Sequence, residues 1–376
     1  MIYLDNAATM PVYKEAVDAI NNALTADFYN PSSTYPGGIK VKRLISAARA
    51  DLSSMLDCNP SEMYFTSCAT ESNNWALNCG FKNNRGNIVV GGGEHSGVYE
   101  CAKELKNKGF DVRFAKINSC GLVDKDSLLS LVDKNTCLVS VMHVSNETGA
   151  TNDIASLSAG VKAINPKIIF HSDGVQAFLK TDCSVKRLGV DLYSVSGHKI
   201  GAPKGIGALY ISSKITLRPF IFGGGQESGM RSGTENVLGI VAFAAAAKKF
   251  REEFDNEKIK ELNSVLFREL EKIDRMTVIA KDAYRTGMIT VFSAEGTKSE
   301  IIQSMCADDG VIIGRGSACS SRHGGNRVLA EAGFDKRVID GALRLSLSPE
   351  TQTKDIVKAV AVIAANIEKL RGNKIG

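Results

Sequence analysis

The chain has 376 residues, with 46 Lys and Arg against 41 Asp and Glu, and 44% of its residues are hydrophobic. That length suits two domains, and the ordinary apolar and charged fractions exclude disordered, collagen-like and fibrous classes. A net charge of +5 with no dense run of Lys and Arg leaves no electrostatic footprint for nucleic acid. The longest charge-free apolar run, residues 237–247, falls well short of the ~18 residues needed to span a bilayer. The opening MIYLDNAAT lacks the basic and apolar regions of a secretory signal, so the expected compartment is the cytoplasm. Nine cysteines form no C-x-x-C, and five histidines form no H-x-x-x-H. Neither a disulfide framework nor a metal centre is expected, and most cysteines read as small buried apolar residues.

In chain order, short apolar runs at 63–67, 87–90, 112–115, 138–144, 168–171, 192–195 and 208–211 alternate with helical spacing at 71–81 and 97–108. Alternation of this kind predicts parallel βαβ units with helices on both faces of the sheet. A long charged helical pattern over 248–273 then leads into a smaller α+β region. That region has strands at 276–280, 288–292 and 342–346 and a closing helix at 354–369. In open α/β sheets, functional residues gather at the carboxyl ends of strands. Those positions here read Ser67-Cys68-Ala69-Thr70, Glu94-His95, Asn146-Glu147, Asp173 and Ser196-Gly197-His198-Lys199.

Each of these positions has two readings. Lys199, at a strand mouth among small and apolar neighbours, is either a solvated surface charge or a partly desolvated amine able to form a Schiff base. Asp173 either opens a turn before Gly174 or is the buried carboxylate that keeps a pyridine nitrogen protonated. Residues 67–71 are either a helix N-cap or a phosphate cradle built from free N–H groups and the helix dipole. His95 is either a hydrogen-bonded loop residue or an imidazole stacked on a planar ring. An Asp and a Lys on successive strand ends of one sheet favour the second set.

The segments LDNAAT, NPSS, FTSCATESNN, EHSGV, MHVSNETGA, HSDGVQA, SGHK with PKGIGALY, GGGQESGMRSGT, GSACSS and LRLSLSPE occur in this order. Together they resemble the cysteine desulfurases of the NifS/IscS-like group, in the class V pyridoxal-phosphate-dependent aminotransferase family. The likeness runs from Tyr3 to about Glu350. It implies fold type I: a large α/β domain over 14–255 with a mostly parallel seven-stranded sheet, and a small α+β domain from 1–13 and 256–376. It further implies pyridoxal 5'-phosphate attached to Lys199, with Asp173 at the ring nitrogen, Gln176 donating to the ring hydroxyl and His95 stacked on the ring. Thr70, Ser196 and His198 would hold the phosphate and Ala69 would also contact the cofactor, with Thr234 reaching the phosphate of the other subunit of a homodimer. Asn146 would contact cofactor and substrate, and Arg344 would take the substrate carboxylate, for which a guanidinium fork is suited.

Cys319 lies in GRGSACSSRHGG, residues 314–325. This glycine-rich stretch with two arginines reads as an accessible loop in which cations favour the thiolate. The resemblance places the persulfide-forming nucleophile there and implies that L-cysteine is converted to alanine. The sulfur would pass to an acceptor protein for iron–sulfur cluster, thio-cofactor or tRNA thiolation chemistry. Within the same fold, selenocysteine lyase and cysteine sulfinate desulfinase are the alternatives; from another class, a catalytically silent binding protein. The chain departs from the resembling pattern at Met10, Tyr35, Ser228 and Arg315, and after Cys319, where 324–329 reads GGNRVL in place of a Pro-led helix start.

Overall fold

The computed structural model describes residues 1–80, 86–316 and 326–372. The strands are β1 (Ile2–Leu4), β2 (Met63–Thr66), β3 (Asn87–Gly91), β4 (Asp111–Ala115), β5 (Thr136–Ser140), β6 (Ile169–Asp173), β7 (Leu192–Ser196), β8 (Gly207–Ile211), β9 (Met276–Ile279), β10 (Ile289–Ala294), β11 (Val311–Ile313) and β12 (Ala342–Ser346). Seven of them form one sheet in the order β2-β8-β7-β6-β5-β3-β4. From β7 to β4 every pair is parallel, whereas β8 runs antiparallel to both β7 and β2. The connection 197–206 is too short for the dozen or more residues of a parallel crossover. It turns instead through Gly201 and Gly205, both with positive φ.

Strands buried on both faces explain why these runs read as continuously apolar. Within one strand, neighbouring residues enter different cores. Val89, Val139, Tyr193 and Ala208 belong to the larger cluster, and Ile88, Leu138, Leu192 and Leu209 to the smaller one around Trp75. That is the period-two geometry of a pleated strand. Connections leave β3 towards β4 on one side, then return to place β5 on the other. The carboxyl ends of β3 and β5 therefore flank a topological switch point, where a crevice opens.

The remaining strands form a parallel pair β1-β11 and an antiparallel sheet β12-β10-β9. Single bridges from Asp5 to Ser346 and from Gly314 to Arg344 join the two. The three-residue strand β1 is too short to show a pattern, and no strand was expected there. The strand expected over 138–144 is displaced to Thr136–Ser140, and the chain from 141 onward forms crevice wall. The helix expected over 248–273 is two helices, Val237–Glu253 and Asn256–Leu270. The Asp255 carboxylate breaks the run by accepting from the N–H groups of Glu257 and Lys258, which starts a new helix. The apolar run 237–247 packs against the helices Lys14–Thr25 and Pro36–Met55.

Two histidines lie inside this frame. His171 sits between Ser140 Oγ (2.8 Å) and Ser194 Oγ (3.1 Å), and His143 Nδ1 meets the Tyr193 hydroxyl at 2.8 Å. Burial pulls His171 down to about 3 and His143 to about 4, so both are neutral when folded. Below the unfolded value of ~6.5 the unfolded chain binds these protons and the native state does not, so stability falls as pH drops from there towards 4. The expected slope is about 1.4 kcal/mol per pH unit per fully buried histidine. Urea midpoints between pH 7 and 5 are expected to flatten by about that slope in His171→Asn; an unchanged slope would show that His171 does not titrate this way.

Candidate active site

The ends of β2, β3, β5, β6 and β7 enclose a cavity of about 450 Å³ whose far wall comes from Asp5, Ala7, Ala8, Gln303, Arg315, Gly316 and Arg344. Ala69, Thr70, His95, Asn146, Asp173, Gln176, Ser196, His198, Lys199 and Arg344 all line it. The residues singled out from sequence therefore converge, with two exceptions. Thr234 is exposed and does not line this cavity. Cys319 lies outside the described residues.

Lys199 projects from the short turn after β7 and donates to the carbonyls of Ala7 (2.6 Å) and Ala8 (2.8 Å). Asp173, the last residue of β6, is buried and receives Asn73 Nδ2 at 2.7 Å and the Val175 N–H at 3.0 Å. Gln176 donates to Ala7 O at 3.0 Å, and its Oε1 is buried without a partner. His95 Nδ1 accepts the Gly97 N–H at 3.1 Å and so caps the helix Ser96–Asn107. With Nδ1 used as acceptor, the ring proton of a neutral His95 resides on Nε2. Burial lowers the His95 pKa, with Asp173 opposing and Lys199 reinforcing the shift. His198 is pulled down to about 3 by burial and the nearby Lys199 and Lys204 charges, so it too presents a neutral ring.

The helix Ala69–Cys79 begins at Cys68 with no side-chain cap, so neither Ser67 nor Thr70 is the N-cap considered from sequence. Its first-turn N–H groups have no intrahelical acceptor, and Ala69 and Thr70 of that turn line the cavity. Gly207 makes that placement possible, because a Cβ there would lie 2.9 Å from the Cys68 carbonyl carbon and 3.1 Å from the Ala69 nitrogen. Glu71, on the first turn, holds Arg231 at 2.8 Å. Burial works against its charge, but Arg231 and the Ser67 N–H hold its pKa below the ordinary value.

β12 lies at the edge of its three-stranded sheet, yet Arg344 is buried, at 4% exposure. Its Nη1 donates to Asn146 O at 2.9 Å, its Nη2 to Asp5 Oδ1 at 3.0 Å, and its Nε is buried with no partner. Asp5, Asn73, Gln303 and Arg315 were missed as site residues. Asp5 and Asn73 lie inside the quoted segments LDNAAT and FTSCATESNN, but only the fold shows which side chains turn inward.

The family described as aminotransferase class V matches residues 2–359. A cysteine desulfurase IscS of Methanosarcina thermophila is 35% identical over 376 residues, spanning 98% of this chain and 93% of that protein. A solved structure described as a NifS-like protein superposes with a TM-score of 0.92 at 32% identity, over 98% of this chain and all (100%) of that one. Another, described as SspA in complex with cysteine, has a TM-score of 0.82 at 29% identity, over 94% of this chain and 100% of that one. The fold and cavity are those of an α/β enzyme with its site at the strand ends. The chain belongs to the class V aminotransferase family, whose members depend on pyridoxal phosphate. The cavity residues fit such a group: an open helix N-terminus for a phosphate, a buried carboxylate, an amine, and unpartnered polar atoms on Asn146, Gln176 and Arg344.

Removing one partner of a buried ion pair strands the other charge, at a cost of about 3–5 kcal/mol when both are fully buried. Asp5 retains some exposure, so Asp5→Ala is expected to lose about 2–3 kcal/mol of unfolding free energy. Asp5→Ala combined with Arg344→Met is expected to lose less than the sum of the two single changes. Additive losses in a double-mutant cycle by chemical denaturation would show that the pair is not coupled.

Proposed function

We propose that the protein is a pyridoxal-phosphate-dependent cysteine desulfurase that moves the sulfur of L-cysteine onto Cys319 and releases alanine. The observation that carries this reading is one cavity holding the Lys199 amine, the Asp173 carboxylate and the Arg344 guanidinium together. The full-length likeness to proteins named cysteine desulfurase supports it. Lys199 would hold the coenzyme through its amine, Asp173 would keep the ring nitrogen protonated, and His95, Gln176 and Asn146 would border the ring. Ala69 and Thr70, with Ser196 and His198, would receive the phosphate. When bound, the coenzyme supplies an electron sink for the pair left on the substrate α-carbon.

The side chains of this chain do the rest. Arg344 binds the substrate carboxylate through its unpartnered edge, and the amine of Lys199 takes the α-proton. Neutral His95, with its proton on Nε2, moves a proton to or from a thiol. The Cys319 thiolate attacks the substrate sulfur: an S–S bond forms, the C–S bond breaks, and the carbon gains a proton. Cysteine plus the enzyme thiol thus becomes alanine plus enzyme persulfide, with atoms and electrons balanced. A sulfur-acceptor protein then takes the persulfide sulfur.

The working unit of this reading is a homodimer. Phe28 and Phe222 are 67% and 81% exposed, and Tyr35 and Ile221 are also exposed. They belong to segments that border a second cleft lined by Pro31 and Gly224–Ser228, and exposed apolar surface of this kind marks association. Thr234, outside its own cavity, then serves the partner's phosphate.

Loading the protein with pyridoxal phosphate and adding L-cysteine is expected to yield alanine and a Cys319 heavier by one sulfur atom, read by mass spectrometry. Cys319→Ala is expected to abolish sulfur transfer; sulfide release surviving in that variant would replace the reading with an elimination reaction. Sharing of sites is checked by mixing. Lys199→Ala subunits and Thr234→Val subunits, each weak alone, are expected to regain activity in mixed dimers, because one site then has both residues. Absence of any recovery after verified subunit exchange would remove Thr234 from the partner's site.

A further inference from the structure

Persulfide formation needs the thiol of Cys319 to meet a substrate sulfur held in the cavity. The described residues on either side of Cys319, up to Gly316 and from Asn326, are therefore constraints on that encounter. On the entry side Gly316 lines the cavity and Arg315 pairs with Glu300 at 2.6 Å. On the exit side Asn326 caps the helix Arg327–Glu331 by accepting the Leu329 N–H at 3.1 Å. The same Asn326 donates Nδ2 to Glu147 Oε2 at 2.6 Å. A Cβ at Gly316 would lie 2.5 Å from Asn326 Nδ2 and 2.8 Å from Glu147 Oε2, so entry and exit meet over one buried carboxylate. Glu147 in turn receives Asn146 Nδ2 at 3.1 Å, and the carbonyl of Asn146 holds Arg344.

The next residue fastens the exit to a second strand end. Arg327 Nη2 donates to the carbonyl of Glu94 at 2.6 Å, immediately before His95, and Nη1 donates to the carbonyl of Gly92. Its guanidinium carbon stacks 3.6 Å from the ring centroid of Tyr99, and Glu331 pairs with it at 3.1 Å. Gly92 makes room for this docking, since a Cβ there would lie 2.9 Å from Glu331 Oε2 and 2.8 Å from Ala115 O. A guanidinium reaching two carbonyls through a rigid fork makes strong charge-assisted bonds at low entropic cost. A plain helix cap explains the Leu329 bond. It does not explain why both side chains reach across to the large sheet, one beyond β5 and one beyond β3.

We propose that Asn326 and Arg327 form a clasp that holds the exit of the Cys319 segment against the strand ends bearing Glu147 and His95, and so act as positioning residues for sulfur transfer to Cys319. The inference rests on the cysteine desulfurase reading above. The test uses the full-length, pyridoxal-phosphate-loaded protein with Arg327→Ala, Arg327→Lys and Asn326→Asp. The last variant keeps a good helix cap while it removes the donor to Glu147 and sets a carboxylate there. Rapid mixing with L-cysteine is read twice in each sample, by the change in coenzyme absorbance and by persulfide on Cys319. Arg327→Ala and Asn326→Asp are expected to leave the absorbance change and its half-saturating L-cysteine within about twofold of the parent. Persulfide formation is expected to slow about tenfold or more, with Arg327→Lys between (orders of magnitude for misplaced reacting groups). Persulfide at the parental rate in either variant overturns the clasp, as does an equal fall in both readouts. If the parent itself forms no persulfide, the cysteine desulfurase reading has failed, and the clasp is judged by hydrogen exchange. Amides of Arg327–Glu331 exchanging about tenfold faster in both variants support it, and exchange at the parental rate overturns it.

Discussion

The site depends on one buried positive charge. Arg344 sits in the middle of β12 at 4% exposure, where an isolated guanidinium would be prohibitively costly. Its charge is met by Asp5 from the amino-terminal segment and by the carbonyl of Asn146 from the chain beyond β5. Its own backbone exchanges hydrogen bonds with Gly314, at 2.8 and 2.9 Å. Gly314 must lack a side chain, since a Cβ would come within 2.4 Å of Asp5 Oδ1. Solvating this charge with protein atoms, together with the backbone bridge to Gly314, gathers four stretches of chain at one point. It leaves Nε as the unpartnered edge on which an anion can dock.

Around that fixed charge, burial shifts several neighbouring groups towards their neutral forms. His198 is pulled to about 3, and Lys180, buried and close to Lys199, to about 7 by burial and by the Lys199 charge. Glu94 is raised well above the usual carboxyl range by burial and by Asp173. The two cavity imidazoles, His95 and His198, are both lowered by burial and serve as polar contacts. Low local polarity strengthens the interactions of the charges that remain there relative to water.

What could be read from sequence follows from the range of the interactions involved. The parallel strands were legible because burial on both faces leaves an unbroken apolar run. Asp173 and Lys199 were legible because each ends such a run. The break at Asp255 was not, since helical periodicity continues through it and only a capping bond marks the interruption. Asp5 and Asn73 were not legible as site residues because their partners, Arg344 and Asp173, lie 339 and 100 residues away, beyond any local pattern. The burial of Arg344 was hidden for the same reason, since its partners Asp5 and Asn146 lie 339 and 198 residues away.

The amino-terminal segment shows how such long-range closure shapes the chemistry. Ala7 O receives both Gln176 and Lys199, and Ala8 O receives Lys199 again. Asn6 and Ala7 are themselves tied to Ser346 at 2.8 Å each. Residues 5–8 therefore lie across the cavity as a backbone strap between the large sheet and β12. Carbonyls aimed at an amine hold it at the cavity mouth without adding a side chain that would fill the space. The bonds that fix Lys199 there are ones it must exchange on engaging a ligand. A cavity built this way keeps its reactive amine positioned before a ligand arrives, at the expense of requiring the two ends of the chain to be in place first.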